Sequence, residues 1–304
     1  MLYIVYPKTD LLEYMLKNIS LIYKTIEIKR DYNLIIRIIR KLLGRFVVYV
    51  PFLHKFVFDS SVYLSLKNIK EDDAVLLFGC SSPLEFYAIF KSIPNKCRLY
   101  KWFWNPLVKE YNKEDIVCNL NILKRLGYII YTFDPYDAEK YNINYRNQFG
   151  RIDIDLLSKK FEIKYDFYFM GKEKGRKSII SELQIYLCNK RYRQLFLLIK
   201  NSEEFISYES NILNILQSSC IIDIVQSGQT GLTLRPIESL FYRKKLLTNN
   251  VEVKKYDFYN RNNIFILGED DIESIPSFLS SQYIDIPSSV ISNYMIEDWI
   301  KIFE

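Results

Sequence analysis

A loop rich in glycine and hydroxyl residues, followed by a predicted helix, carries the strongest chemical signal in this sequence. Gly228 and Gly231 allow the backbone to approach a ligand closely. Pro236 lies in the first turn of the predicted helix, where its missing N–H would be unpaired in any case. The free N–H groups of a helix start attract anions, and Glu238 follows in the same turn. The pattern predicts an anion-binding turn, although a generic strand-to-helix turn has the same glycine spacing.

A second glycine loop is strongly basic. The predicted strand at residues 166–170 ends at Gly171, and a predicted helix begins at residue 178. Cations between a strand and a helix can neutralise an anionic ligand as its charge grows during a reaction. A solvated basic turn is the alternative interpretation. The cations of this loop are Lys172, Lys174, Arg176 and Lys177.

Aromatic and polar residues follow two predicted strands in the N-terminal half. Trp104 and Asn105 come after the strand at residues 97–103, and Asp134 and Asp137 come after the strand at 128–133. A carboxylate placed in this way can take a proton from a hydroxyl group. Asp134 is therefore the first candidate for a general base and Asp137 the second. The alternatives are a packed tryptophan and a turn role for the aspartate that precedes Pro135.

Strands and helices alternate in two series along the chain, which predicts an α/β fold with parallel sheets covered by helices. The predicted strands are residues 2–6, 73–80, 97–103, 128–133, 166–170, 195–199, 221–225, 245–248 and 263–267. The predicted helices are residues 11–23, from 84 onward, 117–126, 178–188, 208–216 and 234–242.

The segment at residues 145–164 lies between the two series and is polar at both ends. We therefore predict two Rossmann-like domains, residues 1–160 and residues 161–304, with the final helix able to pack back on the N-terminal domain. Ligands of open parallel sheets bind at the carboxyl ends of the strands. A central cleft between the carboxyl edges of the two sheets is expected.

Residues 228–249, GQTGLTLRPIESLFYRKKLLTN, resemble the nucleotide-sugar signature of GT-B glycosyltransferases. The similarity is greatest to the branch found in bacterial capsular polysaccharide and lipopolysaccharide biosynthesis. Relatives with paired glutamates eight residues apart hold the donor ribose with the second one, which Glu238 matches, while Thr230 stands at the first position. The resemblance covers residues 163–304 well and the N-terminal half only in its strand and helix pattern. The donor-binding residues that it implies are Gly171, Lys174, Arg176, Gly228, Gln229, Thr230, Gly231, Arg235 and Glu238.

The resemblance implies GT-B architecture and transfer of a sugar from a nucleoside-diphosphate sugar to a hydroxyl of a growing surface glycan. The acceptor would be lipid-linked or an oligosaccharide and would lie on the side of Trp104 and Asn105. Cations would replace a metal, and no cofactor is expected beyond the sugar nucleotide. The alternatives are a metal-dependent GT-A transferase, which would use the Asp153-Ile-Asp155 motif that we interpret as chance, and a non-catalytic nucleotide- or glycan-binding protein.

Composition excludes several other classes of protein. The 304 residues carry a net charge of +6 and no nucleic-acid-reading motif, so a nucleic-acid partner is not expected. The single histidine, His54, and cysteines without CxxC spacing do not form a zinc motif. The cysteines are Cys80, Cys97, Cys118, Cys188 and Cys220.

The N-terminal residues contain no signal peptide pattern, and no apolar run is long enough to span a bilayer, so a cytoplasmic location is expected. A basic amphipathic helix is predicted near residues 34–45, which could contact an anionic membrane on the cytoplasmic face or simply cover the sheet. Its cations are Arg37, Arg40, Lys41 and Arg45.

Overall fold

The computed structural model of the chain describes residues 1–29, 38, 57–173, 175–199, 206–226 and 229–304. The fold is α/β, with two sheets of six and five strands in which all described pairings are parallel. The chain divides into two compact units. In the described residues, no helix is both long enough and apolar enough to cross a membrane.

Unit 1 comprises Met1–Asn147 and Ile300–Glu304. Its strands are β1 (Leu2–Pro7), β2 (Lys24–Ile28), β3 (Ala74–Leu77), β4 (Arg98–Phe103), β5 (Tyr128–Thr132) and β6 (Asn144–Tyr145). Its described helices are α1 (Asp10–Leu16), α2 (Ser60–Lys67), α3 (Pro83–Ser92), α4 (Leu107–Glu110), α5 (Ile116–Arg125) and α6 (Pro135–Tyr141). The spatial order of the strands is β2-β1-β3-β4-β5-β6.

Unit 2 comprises Gln148–Trp299. Its strands are β7 (Tyr165–Lys172), β8 (Gln194–Ile199), β9 (Ser218–Asp223), β10 (Lys245–Thr248) and β11 (Ile264–Ile266). Its helices in the described residues are α7 (Ile154–Leu157), α8 (Lys177–Asn189), α9 (Tyr208–Leu216), α10 (Leu234–Phe241), α11 (Ile275–Ser280), α12 (Ser288–Ser292) and α13 (Ile296–Trp299). The spatial order of the strands is β11-β10-β9-β7-β8.

Both sheets have the same doubly wound topology. The second strand of each unit lies on one side of the first strand, and the later strands lie on the other side. The connections that leave β7 and β9 therefore diverge from neighbouring strands, which creates a crevice at their carboxyl ends. This switch point is the position in unit 2 where a ligand is expected.

The strands of unit 2 alternate between two helix-covered faces, as buried parallel strands do. Phe167 and Phe169 of β7 pack in one apolar cluster with Ile180 of α8. Tyr168, between them, points to the other face and donates a hydrogen bond to Asn211 of α9. The β7 strand is thus fixed from both sides, so that the loop at its carboxyl end leaves a rigid element.

The division between the units falls before residue 148, whereas the sequence-based boundary lies after residue 160. Residues 148–160 belong to unit 2 because they pair with residues near its carboxyl end. Gly150 forms a parallel bridge with Met295. The ring of Phe149 packs 4.3 Å, centroid to centroid, from that of Trp299. The polar character of this segment, which suggested a linker, comes from residues that flank these contacts.

The last five residues return to unit 1 as a 3₁₀ turn, Ile300–Phe303, and Glu304. The ring of Phe303 lies 5.3 Å from that of Tyr100 and 5.2 Å from that of Tyr131. The Glu304 carbonyl oxygen accepts a hydrogen bond from Arg98. The element that rejoins unit 1 is therefore a short 3₁₀ turn.

Candidate functional site

Two arginines lie at the switch point of unit 2. Arg176 immediately precedes α8, in the loop that follows β7. Arg235 lies in the first turn of α10, after the loop that follows β9, and its backbone N–H donates to the side chain of Thr233, the N-cap residue. Both cations are therefore at helix N-termini, where the unpaired N–H groups already attract negative charge.

The guanidinium group of Arg176 joins the ends of β7 and β9. Its Nε and Nη2 atoms donate to the carbonyl oxygen of Lys172, at 3.1 and 2.9 Å. Its Nη1 atom donates to the carbonyl oxygen of Ile224, the residue after β9. These contacts fix the plane of the group in the absence of a ligand, so little side-chain entropy remains to be lost on binding.

Arg235 also contacts the carboxyl end of β7. Its Nη2 atom donates to the carbonyl oxygen of Met170 in β7. The guanidinium carbon atoms of Arg176 and Arg235 lie 5.8 and 6.0 Å from the centroid of the Phe169 ring. The ring is thus a shared cation–π surface for both groups.

Gly171 lies between the two cations. A Cβ atom at this position would stand 2.9 Å from Nη2 of Arg176 and 3.3 Å from Nη2 of Arg235. Any side chain would occupy the space that the guanidinium groups use. Glycine is needed here for close approach and not for an unusual backbone conformation, since its φ lies outside the left-handed region.

The positive charges of Arg176 and Arg235 lie close to each other. Burial, followed by the nearby positive charge of Arg235, lowers the pKa of Arg176 to about 10. The salt bridges among the described residues do not include either arginine. An anion bound between them would relieve the repulsion and gain charge-assisted hydrogen bonds.

A buried carboxylate, Asp223, lies at the end of β9, near both arginines. Its Oδ1 atom accepts a hydrogen bond from Thr233 at 2.9 Å, and its Oδ2 atom accepts one from Thr248 at 3.3 Å. Burial raises the pKa of Asp223, while the charges of Arg235 and Arg176 oppose that shift. Asp223 is fully buried and both arginines are partly exposed, so the face open to a ligand is the cationic one.

Glu238 lies one turn further along α10 and is also buried. Its Oε1 atom accepts hydrogen bonds from Tyr208 Oη at 2.6 Å and from Asn211 Nδ2 at 3.2 Å. Burial raises the pKa of Glu238, and the charge of Arg235 is the largest influence in the opposite direction. Sequence analysis identified Glu238 but not its partners on α9, because their contact depends on how two helices pack.

The glycine loop before α10 is described from residue 229 onward. The Gln229 backbone N–H donates to the Gln226 carbonyl at 3.2 Å, and its side chain donates to the Gly231 carbonyl at 3.4 Å. Thr230 is half-buried and Gly231 is buried. The structure thus brings together Gly171, Arg176, Arg235 and Glu238 of the predicted donor site. Lys174 and Gly228 lie outside the described residues, as do His54, Arg37, Arg40, Lys41 and Arg45.

The two candidate bases of unit 1 have structural partners. Asp134 is the N-cap of α6, and its carboxylate accepts hydrogen bonds from the backbone N–H groups of Tyr136 and Asp137. Asp137 Oδ2 accepts one from the Leu107 N–H at 2.7 Å. Both side chains are buried. In this conformation the geometry favours capping by Asp134 and loop anchoring by Asp137 over proton transfer.

The aromatic and amide residues after β4 differ in their exposure. Trp104 is half-buried, and its ring packs edge-on against Trp102 at 5.1 Å and Phe78 at 6.3 Å. Asn105 is exposed and donates to Glu110 Oε1 at 2.7 Å. Trp104 therefore presents part of its ring to solvent at the carboxyl edge of the unit 1 sheet, where the sequence predicts contact with an acceptor.

The Asp153-Ile-Asp155 motif has a local structural role. The Asp153 side chain caps α7 by accepting the Leu156 N–H, and it forms a buried ion pair with Arg151 at 3.4 Å. Asp155 is exposed in the first turn of α7. Within the described part of the chain, no group of three or more His, Cys, Asp or Glu side chains is arranged to hold a metal ion.

No model of a known protein family matches this chain, and a search of curated proteins finds no match either.

Proposed function

We propose that this chain is a glycosyltransferase of GT-B type, in which unit 2 binds a nucleoside-diphosphate sugar. The observation that carries the proposal is the pair of guanidinium groups that both approach Gly171, from two helix N-termini. Of the common anions, a pyrophosphate has two adjacent charged groups for the two cations, and the guanidinium N–H groups that do not donate to backbone carbonyls can donate to its oxygens.

The same geometry suits the chemistry of sugar transfer. The leaving nucleoside diphosphate gains negative charge as the bond from the sugar to the phosphate oxygen breaks, and fixed positive groups stabilise that charge most in the transition state. In this proposal Arg176 and Arg235 supply that stabilisation, and transfer requires no metal ion. A chelator should therefore leave the initial rate unchanged, whereas a GT-A transferase would lose activity.

Glu238 has the position and charge to hold the ribose of the donor. It lies three residues beyond Arg235 on the same helix, so the two side chains share one face of α10. The described hydrogen bonds of its carboxylate use only Oε1. In the proposal Oε2 accepts the ribose hydroxyls, as the resemblance of residues 228–249 implies.

The acceptor in this proposal is a hydroxyl of a growing surface polysaccharide or lipopolysaccharide, presented as an oligosaccharide or on a lipid carrier. This part rests on the sequence resemblance and on the half-exposed ring of Trp104, since aromatic faces pack well against sugars. The expected location is the cytoplasmic side of the membrane on which such glycans are built.

The first experiment is a calorimetric titration with UDP, GDP, ADP and CMP, followed by assays for nucleoside-diphosphate release from the corresponding sugar nucleotides. Arg176→Ala and Arg235→Ala should each weaken nucleoside-diphosphate binding by about 10- to 100-fold, as loss of a charged hydrogen bond predicts. Binding of the bare nucleoside should not change.

Arg193→Ala is a matched control. Arg193 has the same charge and pairs with Asp166 near the amino end of β7, at the opposite edge of the same sheet. Equal losses for the nucleoside and the nucleoside diphosphate, or equal effects of Arg193→Ala and Arg235→Ala, would refute the pyrophosphate site. Binding without turnover on any sugar nucleotide would favour a non-catalytic nucleotide-binding protein.

A further inference from the structure

Glu238 is the end of a chain of buried hydrogen bonds that begins on β7. Tyr168 Oη donates to Asn211 Oδ1 at 2.9 Å, and Asn211 Nδ2 donates to Glu238 Oε1 at 3.2 Å. Tyr208 Oη donates to the same Glu238 oxygen at 2.6 Å. These four side chains are buried and come from β7, α9 and α10.

The order of donors fixes the direction of each group. Because Tyr168 donates to the carbonyl oxygen of the Asn211 amide, the NH₂ group of that amide must face Glu238. Both neighbours of Glu238 are then donors, which favours its ionised form. Both also use Oε1, so the carboxylate is held in one orientation with its other oxygen turned away from α9.

Packing alone does not require such a network. Apolar side chains of similar volume can join two helices without the cost of burying a carboxylate. Here α9 and α10 already contribute buried Ile212, Ile215, Ile237 and Leu240 to the core. The cost of the polar network is accounted for if the orientation and charge of Glu238 serve a ligand.

We propose that Tyr208 and Asn211 are positioning residues for Glu238, which hold its carboxylate in one orientation and direct Oε2 toward the vicinal hydroxyls of a ribose. This inference rests on the proposed function, because it assigns the same site a preference for ribonucleoside over 2′-deoxyribonucleoside diphosphates. Tyr168 acts one step further away by orienting the Asn211 amide.

The protonation of Glu238 depends on groups from three elements. Burial raises the pKa of Glu238; Arg235, on its own helix, opposes that shift, and Asp223, at the end of β9, adds to it. Tyr208 and Asn211, both on α9, favour the charged form through their hydrogen bonds. Removing the Tyr208 hydroxyl should therefore shift the protonation of Glu238 to higher pH, while the two charged neighbours remain.

The test compares ligands with and without a ribose. Wild type and Tyr208→Phe are titrated with UDP, its 2′-deoxy counterpart and inorganic pyrophosphate at about pH 6 and pH 8, with GDP or ADP replacing UDP if they bind more tightly. Tyr208→Phe should lose about 10-fold in affinity for the ribonucleoside diphosphate, the loss should grow at the lower pH, and pyrophosphate binding should not change.

Tyr294→Phe is the matched control, because Tyr294 Oη also donates to a carboxylate of unit 2, Asp257, at 2.7 Å. Its affinity for all three ligands should equal that of wild type. Asn211→Ala provides a second variant if Tyr208→Phe is not folded by circular dichroism, and the same losses are expected. In a Glu238→Gln background, Tyr208→Phe should have no further effect on nucleotide affinity.

The outcomes separate the two proposals. If wild type binds no nucleoside diphosphate, both the proposed function and this inference are overturned. If wild type binds one but folded Tyr208→Phe and Asn211→Ala bind it equally well, only the positioning role is overturned. Equal losses for pyrophosphate and nucleotide would also overturn it, since they would indicate a general distortion of the site.

Discussion

Substitution of Gly171 by alanine tests the arginine pair without removing either arginine. The new Cβ would lie 2.9 Å from Nη2 of Arg176 and 3.3 Å from Nη2 of Arg235. Both distances are shorter than an ordinary van der Waals contact. The third neighbour is Cζ of the Phe169 ring, at 3.3 Å. The guanidinium groups end long side chains, so they should move and lose part of their hydrogen bonding to the strand ends while the backbone of β7 stays in place.

The effects on binding and on folding should therefore differ. If the shift disrupts one charged hydrogen bond to the ligand, the cost is about 1.5–3 kcal/mol, or roughly a 10- to 150-fold loss of pyrophosphate affinity. The free energy of unfolding should change by less than about 1 kcal/mol, because the backbone φ of Gly171 suits alanine, which also lowers the entropy of the unfolded chain.

Gly268→Ala is the opposite control in the same unit. Gly268 has a φ of 90°, and a Cβ added there would meet no atom within 4 Å, so alanine is strained at this position but displaces nothing. It should cost about 1–2 kcal/mol of stability and leave pyrophosphate affinity unchanged. Calorimetric titration and urea unfolding measure both quantities. Wild-type affinity in folded Gly171→Ala would refute the placement of the anion between the two guanidinium groups.

Three further predictions concern other parts of the chain. Asp134→Ala should destabilise unit 1 by about 1 kcal/mol through loss of the α6 cap while Asp134→Asn retains it; abolished turnover in a folded Asp134→Asn would instead establish a catalytic base. Burial raises the pKa of Asp137 above its ordinary 3.8, so wild type should lose stability as the pH rises from that value through the raised one. Urea unfolding of Asp137→Asn, which keeps an acceptor for Leu107, should show a flatter pH profile, and an unchanged profile would contradict this account. Wild type should co-sediment with anionic liposomes at low salt, at roughly 1 kcal/mol per cation, and a variant with Gln in place of three basic residues should not. Those residues are Arg37, Arg40 and Lys41.

Sequence periodicity predicted the strands of both sheets that are apolar throughout, such as β3 and β11, because buried parallel strands are continuous apolar runs. It missed β2, Lys24–Ile28, since an edge strand that contains Lys24, Thr25 and Glu27 has no such run. The predicted helix at residues 11–23 ends at Leu16, because the chain must turn before Lys24 to pair with β1. Only the second residue of β6, Tyr145, lies in the segment that was interpreted as a linker.

The candidate site was predictable where its residues lie close together in the sequence and not where their contacts depend on packing. Gly171, Arg176, Arg235 and Glu238 were identified because each lies within a few residues of a strand end or helix start. The role of Gly171 as the space between two arginines could not be predicted, because the two arginines are 59 positions apart in the chain. Tyr208 and Asn211 were missed for the same reason. A predicted helix places them on one face, but does not say which helix they contact.

The return of residues 300–304 to unit 1 affects how the protein is made. The ribosome synthesises the chain from its N-terminus at about 5–20 residues per second, and N-terminal domains commonly fold first. Here Phe303, which packs between Tyr100 and Tyr131, is synthesised only after all of unit 2. Unit 1 therefore completes its core only after unit 2 has been synthesised, and a chain truncated after residue 299 should expose those two tyrosine rings.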